Sequence, residues 1–363
     1  MNIKKNILIC PLEWGLGHAG RMIPLARRLQ AMNNNIFIGS GEEHLPFFRN
    51  ELPGMTFIHF PGFRMRYSRF LPQYLTIILK IPDLIFHVIR EHRRLKKIIK
   101  DYSIDIVISD SRIGLWNSNI KTVFVLHIPR IPFPKQLRLL EFIGIPLSRF
   151  IIKKYSYSFI PDLDGDLNIS GRLSHGFKLP DNLRYIGILS RFSECGFPGK
   201  NNPGNIYCTV ILSGPEPQKG ILKQKLTDIL NAKGKPAVIL EGLPGNSPDR
   251  NIDGYVRFLS HLPDPEMRDM ILDSENIITR SGYTTIMELI SLNRSALIIP
   301  TPGQTEQEYL AEYLSGKGWF RTVSQKELDV TIDLCGPKAS WPPELIAESA
   351  KLLNKALKEL LEE

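Results

Sequence analysis

Short apolar runs alternating with helical segments, repeated along the whole chain, restrict the possible fold more than any other feature. KNILICP (5–11), NNIFIGS (34–40), MTFIHF (55–60), IDIVISD (104–110) and TVFVLH (122–127) read as strands, with amphipathic stretches such as RMIPLARRLQAM (21–32) between several of them. This predicts a parallel sheet flanked by helices, because parallel neighbours need a crossover connection and a helix supplies it. The rhythm restarts with IYCTVILSG (206–214), KPAVILEG (235–242), YVRFLS (255–260), ENIITRSG (275–282) and SALIIPTP (295–302). Two α/β domains in succession are expected, and 363 residues are enough for both. FPGKNNPGN (197–205) reads as a linker. The expected division is 1–190, 191–342 and a terminal helix over 343–363. That helix places Leu345, Leu352, Leu353, Ala356 and Leu360 on one face, interrupted by Ser349, and is expected to pack back toward the N-terminal domain.

Charge is unevenly spread. The chain carries a net +9, yet residues 1–190 hold 27 lysines and arginines against 14 acids, while the remainder holds 19 against 23. The excess suits an anionic partner surface for the first half, either an acidic lipid leaflet or nucleic acid, and equally a set of lysines and arginines that are merely solvated. Aromatic, aliphatic and basic residues interleave over 62–100 and 137–154, a pattern of interfacial membrane contact that ordinary core burial also produces. Cys10, Cys195, Cys208 and Cys335 lie far apart with no C-x-x-C spacing, which argues against a zinc site or disulfide framework and for a reducing compartment. The N-terminal apolar run is stopped by Pro11 and Glu13, and the run at 71–89 contains Lys80, Pro82 and Asp83. Neither has the make-up of a signal peptide or a spanning helix, so a cytoplasmic location is expected.

WGLGHAG (14–20) contains a G-x-G-x-x-G at Gly15, Gly17 and Gly20, directly after the first strand and at the opening of a helix. A dinucleotide fingerprint sits there, but it expects an acid at the end of the second strand, where this chain has Gly39 and Ser40. His18 also occupies the part of the loop where backbone would press against a pyrophosphate. The glycines could equally serve close packing alone, with His18 as a neighbour of the helix cap.

In the second half, NIITRSGYTTIMELI (276–290) runs from a strand through Arg280, Ser281 and Gly282 into a helix, whose unpaired N–H groups and positive dipole end suit a diphosphate. Glu288 follows within that helix and could accept hydrogen bonds from a ribose diol. Gln304, Glu306 and Gln307 open the next helix with polar groups suited to sugar hydroxyls.

The succession GLGH, SGPEPQKG (213–220), RFLS (257–260), RSGYTTIMEL (280–289) and PTPGQTEQEYLA (300–311) resembles the MurG-type branch of the GT-B nucleotide-sugar glycosyltransferases, with a family 28-like C-terminal domain. The resemblance covers most of the chain and is more specific in its second half. It implies a GT-B fold, with two Rossmann-like domains whose parallel sheets face a central cleft. Phe258 and Leu259 match a pair in which the aromatic caps uracil and the following backbone reads its edge. Ser281 and Gly282 match the diphosphate turn, Glu288 the ribose-binding glutamate, and Glu306 with Gln307 the donor-sugar contact. Ser213 and Gly214 open the loop over the phosphates, Arg191 matches an arginine of the linker segment, and His18 the histidine of the first glycine loop. VLH (125–127) is followed here by Ile128, Pro129 and Arg130 instead of the peptidoglycan enzyme's Glu-Gln-Asn, which implies a different acceptor pocket.

The implied activity is inverting transfer of N-acetylglucosamine or a related hexose from a UDP-sugar to a lipid-linked or glycan acceptor in cell-envelope synthesis, at the inner membrane face. Such a reaction needs a base and a stabilised leaving group. His18 is the expected base, oriented by Asp110 or Glu13, although either acid could serve a turn instead. Gly15, Gly17 and His127 are expected on the acceptor side, and His127 reads equally as a core histidine. The dipole at Ser281-Gly282 with Arg191 would neutralise the diphosphate, so no metal is required. Asp162, Asp164 and Asp166 form a poor calcium loop, because its sixth and twelfth positions are Leu167 and Leu173; a solvated turn fits better. The expected partners are a UDP-sugar, the acceptor and an anionic membrane, without nucleic acid. A UDP-sugar epimerase or hydrolase of the same fold, and a noncatalytic binding subunit, are the competing readings.

Overall fold

The computed structural model describes residues 4–63, 79–133, 137, 141–193, 206–243 and 252–362, the side chain of Ile143 excepted. The linker expected at 197–205 and the aromatic and basic residues of 64–78 lie outside these. The chain divides into two compact units, Met1–Leu189 with Pro342–Glu363, and Ser190–Trp341.

The first unit is built on a sheet of β1 (Asn6–Cys10), β2 (Asn35–Ser40), β3 (Thr56–His59), β4 (Ile106–Asp110), β5 (Lys121–Val125), β6 (Tyr157–Ile160) and β7 (Leu183–Tyr185). Their order is β3-β2-β1-β4-β5-β6-β7, and every pairing is parallel. Ile7, Leu8, Ile9 and Cys10 of β1 are fully buried, as a central strand covered on both faces requires. Helices α1 (Leu16–Ala31), α2 (Leu45–Glu51), α3 (Ile81–Asp101) and α4 (Glu141–Ile152) complete the unit's N-terminal portion. Buried Arg112, just past β4, donates from Nε to Glu91 of α3 at 2.9 Å and from Nη1 to the carbonyl of Phe60 at 2.9 Å, tying α3 to the end of the sheet.

The second unit repeats the plan with β8 (Ile206–Ile211), β9 (Ala237–Leu240), β10 (Ile252–Asp253), β11 (Val256–Leu259), β12 (Ser274–Thr279), β13 (Leu297–Ile298) and β14 (Arg321–Thr322). Their order is β10-β11-β9-β8-β12-β13-β14, parallel except for the antiparallel edge pair β10 and β11. Helices α5 (Gln218–Lys233), α6 (Asp264–Asp273), α7 (Tyr283–Ser291) and α8 (Thr305–Gly316) belong to it. The α/β class with parallel sheets is therefore as the sequence predicts. The strands missing from the sequence reading, β6, β7, β10 and β14, are two to four residues long, too short to display a period.

The last helix, α9 (Glu344–Glu362), packs within the first unit. Its buried positions are Leu345, Ser349, Ala356, Leu357 and Leu360, with Leu352 and Leu353 only half-buried. The interruption at Ser349 has a packing cause. Gly187, at φ +73°, approaches so closely that an added Cβ would lie 2.2 Å from the Cα of Ser349. The serine hydroxyl accepts from the N–H of Ile188 at 3.1 Å and donates to the carbonyl of Leu345 at 2.6 Å. Asp164 and Asp166 are exposed, as a solvated turn implies, but Asp162 corrects that expectation: it is fully buried and accepts from the N–H groups of Leu163, Ile169 and Ser170 at 2.8–2.9 Å.

Candidate active site

In an open parallel sheet, ligands meet the carboxyl ends of the strands where the strand order reverses, because loops there diverge to opposite faces and leave a crevice. In the first unit that point lies between β1 and β4. In the second it lies between β8 and β12.

At the first reversal, Gly15 takes φ +135° to turn the chain from β1 into α1, with no atom within 4 Å of an added Cβ, so the glycine serves backbone conformation and not close packing. His18 stands in the first turn of α1, near Gly17, and is 19% exposed. Its Nδ1 lies 2.9 Å from Oδ2 of Asp110, the fully buried last residue of β4. Its Nε2 hydrogen-bonds to no described residue. Glu13, the alternative orienting acid, is directed elsewhere: its carboxylate accepts from Ser40 Oγ at 3.3 Å and from the N–H of Gly41. His127, just past β5, is buried with its ring centroid 6.3 Å from that of His18.

A residue absent from the sequence reading joins these groups. Arg21, one turn after His18 and 1% exposed, donates from Nε to Asp110 Oδ2 at 3.0 Å and from Nη2 to Asp110 Oδ1. Its Nη1 lies 2.9 Å from His127 Nδ1 and its Nη2 lies 2.7 Å from His18 Nδ1. The signal for it was a cation three residues after the histidine, on the face that α1 buries along with Met22 and Leu25. Burial, and then the Arg21 charge, pull His18 down from its ordinary 6.5 to about 4 against the opposing Asp110 carboxylate. Burial opposes ionisation of Asp110, yet Arg21 and His18 outweigh it and hold the carboxyl well below its usual range. At neutral pH the imidazole is uncharged and the carboxylate charged.

At the second reversal, the loop after β8 carries Ser213, half-buried, and Gly214, exposed. Helix α5, which follows, has its N-terminus occupied: Glu216 accepts from the N–H of Gly220 at 3.0 Å. Helix α7 begins at Tyr283 after Gly282 with no side-chain cap hydrogen bond, and its positive dipole end lies at this turn. The side chain of Ser281 is fully buried and donates to the carbonyl of Gln307 at 2.8 Å, which leaves backbone as this turn's ligand-facing group. Arg280, fully buried at the end of β12, has no carboxylate partner among the described residues. Its Nη atoms donate to the carbonyls of Ile299, Pro300 and Gln218 and to Gln325 Oε1, while Nε is unpartnered. Burial lowers it to about 10. The buried Thr301 Oγ1, just past β13, is also unpartnered, and a Cβ added to Gly214 would lie 3.6 Å from it.

Several expected donor-side side chains are engaged within the protein. Phe258 does not stand open to cap a base: it is 8% exposed within the hydrophobic core, with the Lys223 ammonium 4.5 Å from its ring centroid. Leu259 beside it is buried as well. Arg191 is not available to a diphosphate, because its guanidinium donates to Glu288 at 2.8 Å, to Asp264 at 3.0 Å and to Met267 Sδ at 3.0 Å. Glu288 is therefore held in place by Arg191; burial raises its pKa against the pull of Arg191. Gln307 is buried, its Oε1 accepting from the N–H of Thr301 at 2.9 Å. Gln304, at the N-cap position of α8 but with no side-chain cap hydrogen bond, and Glu306 are half-buried.

A family model described as the glycosyltransferase family 28 C-terminal domain matches residues 262–334, the stretch that contains Arg280 through Gln307. An uncharacterized glycosyltransferase of Methanosarcina acetivorans is 24% identical over 70% of this chain and 66% of its own length. One of Methanosarcina mazei is 23% identical over 95% and 88%. Among solved structures, spinosyn rhamnosyltransferase SpnG complexed with thymidine diphosphate superposes with a TM-score of 0.60 at 14% identity, covering 99% of this chain and all of that one. The glycotransferase of kitacinnamycin gives 0.58 at 14%, covering 99% and 93%. These structures show the GT-B fold, and the chain is a glycosyltransferase with a family 28-like C-terminal region.

Proposed function

We propose that this GT-B glycosyltransferase transfers a hexose, with inversion, from a UDP-sugar to a hydroxyl of a lipid-linked or glycan acceptor in cell-envelope synthesis. The observation that carries the reading is the His18–Asp110 pair, whose Nε2 side is unengaged by any described residue. With Nδ1–H donated to Asp110, Nε2 bears the lone pair and removes the acceptor proton while the hydroxyl oxygen attacks the anomeric carbon from the face opposite the diphosphate. The anomeric C–O bond breaks, and the diphosphate leaves with the electron pair. Asp110 then stabilises the imidazolium.

In the second unit, the uncapped N-terminus of α7 receives the developing diphosphate charge. Arg280 Nε and Thr301 Oγ1, two buried polar atoms without partners among the described residues, are the hydrogen-bonding groups that a bound phosphate would complete. Glu288, oriented by Arg191, accepts from the ribose diol. The positive charge is supplied by protein, so the reaction as written needs no metal.

The acceptor's lipid character rests on α3 and α4. Ile81, Ile85, Phe86 and Ile89 of α3 are exposed, as are Phe142, Leu147 and Phe150 of α4, and Arg90, Arg93, Lys96, Lys97 and Lys100 extend the exposed surface of α3. Apolar side chains beside a basic cluster fit an anionic bilayer surface. No helix among the described residues is long and apolar enough to cross a membrane.

The test is incubation of the full chain with labelled UDP-sugars and TDP-sugars and extracted membrane lipids, following label into the lipid phase. TDP-sugars belong in the panel because the spinosyn enzyme binds thymidine diphosphate. Transfer from a UDP-sugar supports the proposal. Donor consumption without an acceptor, or no label in lipid or glycan from any donor, overturns it.

A further inference from the structure

Nδ1 of His18 faces two groups with opposite demands. Asp110 Oδ2, at 2.9 Å, can only accept a proton from it, whereas Arg21 Nη2, at 2.7 Å, can only donate one to it. One ring nitrogen cannot satisfy both. If Nδ1 carries the proton, it donates to Asp110 and Nε2 is a bare acceptor. If Nδ1 is bare, Arg21 donates into it and Nε2 carries the proton. Arg21 Nη2 has an alternative for its second hydrogen, Ser111 Oγ at 3.4 Å.

The same guanidinium meets Nδ1 of His127 at 2.9 Å. An arginine is always a donor, so that Nδ1 is the bare nitrogen and the proton of neutral His127 sits on Nε2. The charged and titratable groups acting on His18 are Arg21 from its own helix, Asp110 from β4 and His127 from the segment after β5.

We propose that Arg21 is a positioning residue for the transfer: it competes with Asp110 for Nδ1 of His18, so setting how much of the histidine presents a bare Nε2 to the acceptor hydroxyl, and it holds His127 as an Nε2–H donor. The assignment rests on His18 as the base, but the protonation pattern it states can be read without activity. The arrangement also explains a buried cation beside a general base. Burial and then the guanidinium oppose the pull of Asp110 and keep His18 in the neutral form that can take a proton.

The experiment is nitrogen NMR of the full chain with labelled histidine, at neutral pH, for the wild type, Arg21→Lys and Ser111→Ala, with His18→Gln assigning the signals and the pH dependence of kcat measured alongside. Arg21→Lys keeps the charge but cannot reach Asp110, His18 and His127 together. It is expected to move His18 toward the Nδ1–H form and to release His127 from its single tautomer, with little movement of the acid limb of kcat because the charge and the burial are kept. Ser111→Ala removes the alternative acceptor and is expected to move His18 the other way, lowering kcat several-fold with the donor KM unchanged. Folded variants with unaltered His18 signals overturn the proposal, and Ser111→Ala decides it if Arg21→Lys does not fold. Altered signals with full activity in His18→Gln would refute the base assignment while leaving the tautomer control standing.

Discussion

Nδ1 of His18 and Oδ2 of Asp110 lie 2.9 Å apart although the residues are 92 positions apart in sequence. The contact exists because β1 and β4 are neighbours in the sheet: Cys10, which ends β1, pairs with Ser109, and the chain turns from there into α1. His18→Ala is expected to lower kcat by about 10²-fold or more, the usual contribution of general-base catalysis, with the donor KM nearly unchanged. Asp110→Asn should fall in the same range. Steady-state kinetics with the identified donor and acceptor checks both; unimpaired turnover in His18→Ala would remove the histidine from the chemistry.

The depressed basicity of His18 also predicts an acid-sensitive fold. An unfolded histidine takes up a proton near pH 6.5, while His18 in the folded chain stays neutral down to about 4. Between those values the unfolded state binds more protons, so stability is fully present above pH 6.5 and is lost as pH falls toward 4. Asp110, held ionised in the fold, extends the loss below the ordinary carboxylate range. Urea midpoints taken from pH 7 to pH 4 should fall less steeply in His18→Ala than in the wild type.

Arg280→Gln should act on donor binding and on fold together. It removes donors from the carbonyls of Ile299, Pro300 and Gln218, which join the ends of β13 and α5. Leaving buried carbonyls unpaired costs about 1–3 kcal/mol each at most, so a clearly lower Tm is expected together with weaker protection by added UDP. Glu288→Gln keeps the volume and one acceptor but removes the charge opposite buried Arg191; it should raise the donor KM together with a lower Tm. Equal donor KM values in Glu288→Gln and the wild type would exclude a ribose contact.

Two glycine substitutions separate close packing from backbone conformation. Gly187→Ala places a Cβ on the α9 backbone at a positive φ, whereas Gly165→Ala, at φ +78°, meets nothing within 4 Å. The second should cost about 1 kcal/mol and the first considerably more, with loss of the α9 contact. Thermal unfolding of the pair measures the difference.

For the membrane surface, Ile85→Ser with Phe86→Ser removes two exposed apolar side chains of α3 without touching its buried Glu91, Leu95 and Ile98. Flotation with vesicles containing anionic lipid should drop several-fold in the double variant, while Tm stays near that of the wild type. Equal flotation would move the contact elsewhere.

Much of this was legible in the chain because it is local. The run ILIC in β1 and the run IVIS in β4 announce buried parallel strands, and parallel strands send every carboxyl-end loop to one edge of the sheet. That alone places His18, Asp110 and His127 at the carboxyl end of the first sheet, and Ser213, Gly214, Arg280, Ser281, Gly282 and Gln304 at the carboxyl end of the second. Arg21, the inward turn of Ser281, the core position of Phe258 and the pairing of Arg191 with Glu288 were not legible. Each depends on a partner far away in the sequence, 89 positions for Arg21 with Asp110 and 97 for Arg191 with Glu288. Sequence by itself determined which elements form and at which sheet edge their polar loops gather, since strand and helix periods are carried by neighbouring residues. Only the tertiary structure decided which polar groups remain open to a ligand, because a buried charge must find its partner within about 3 Å, and that partner is supplied by packing rather than by chain order.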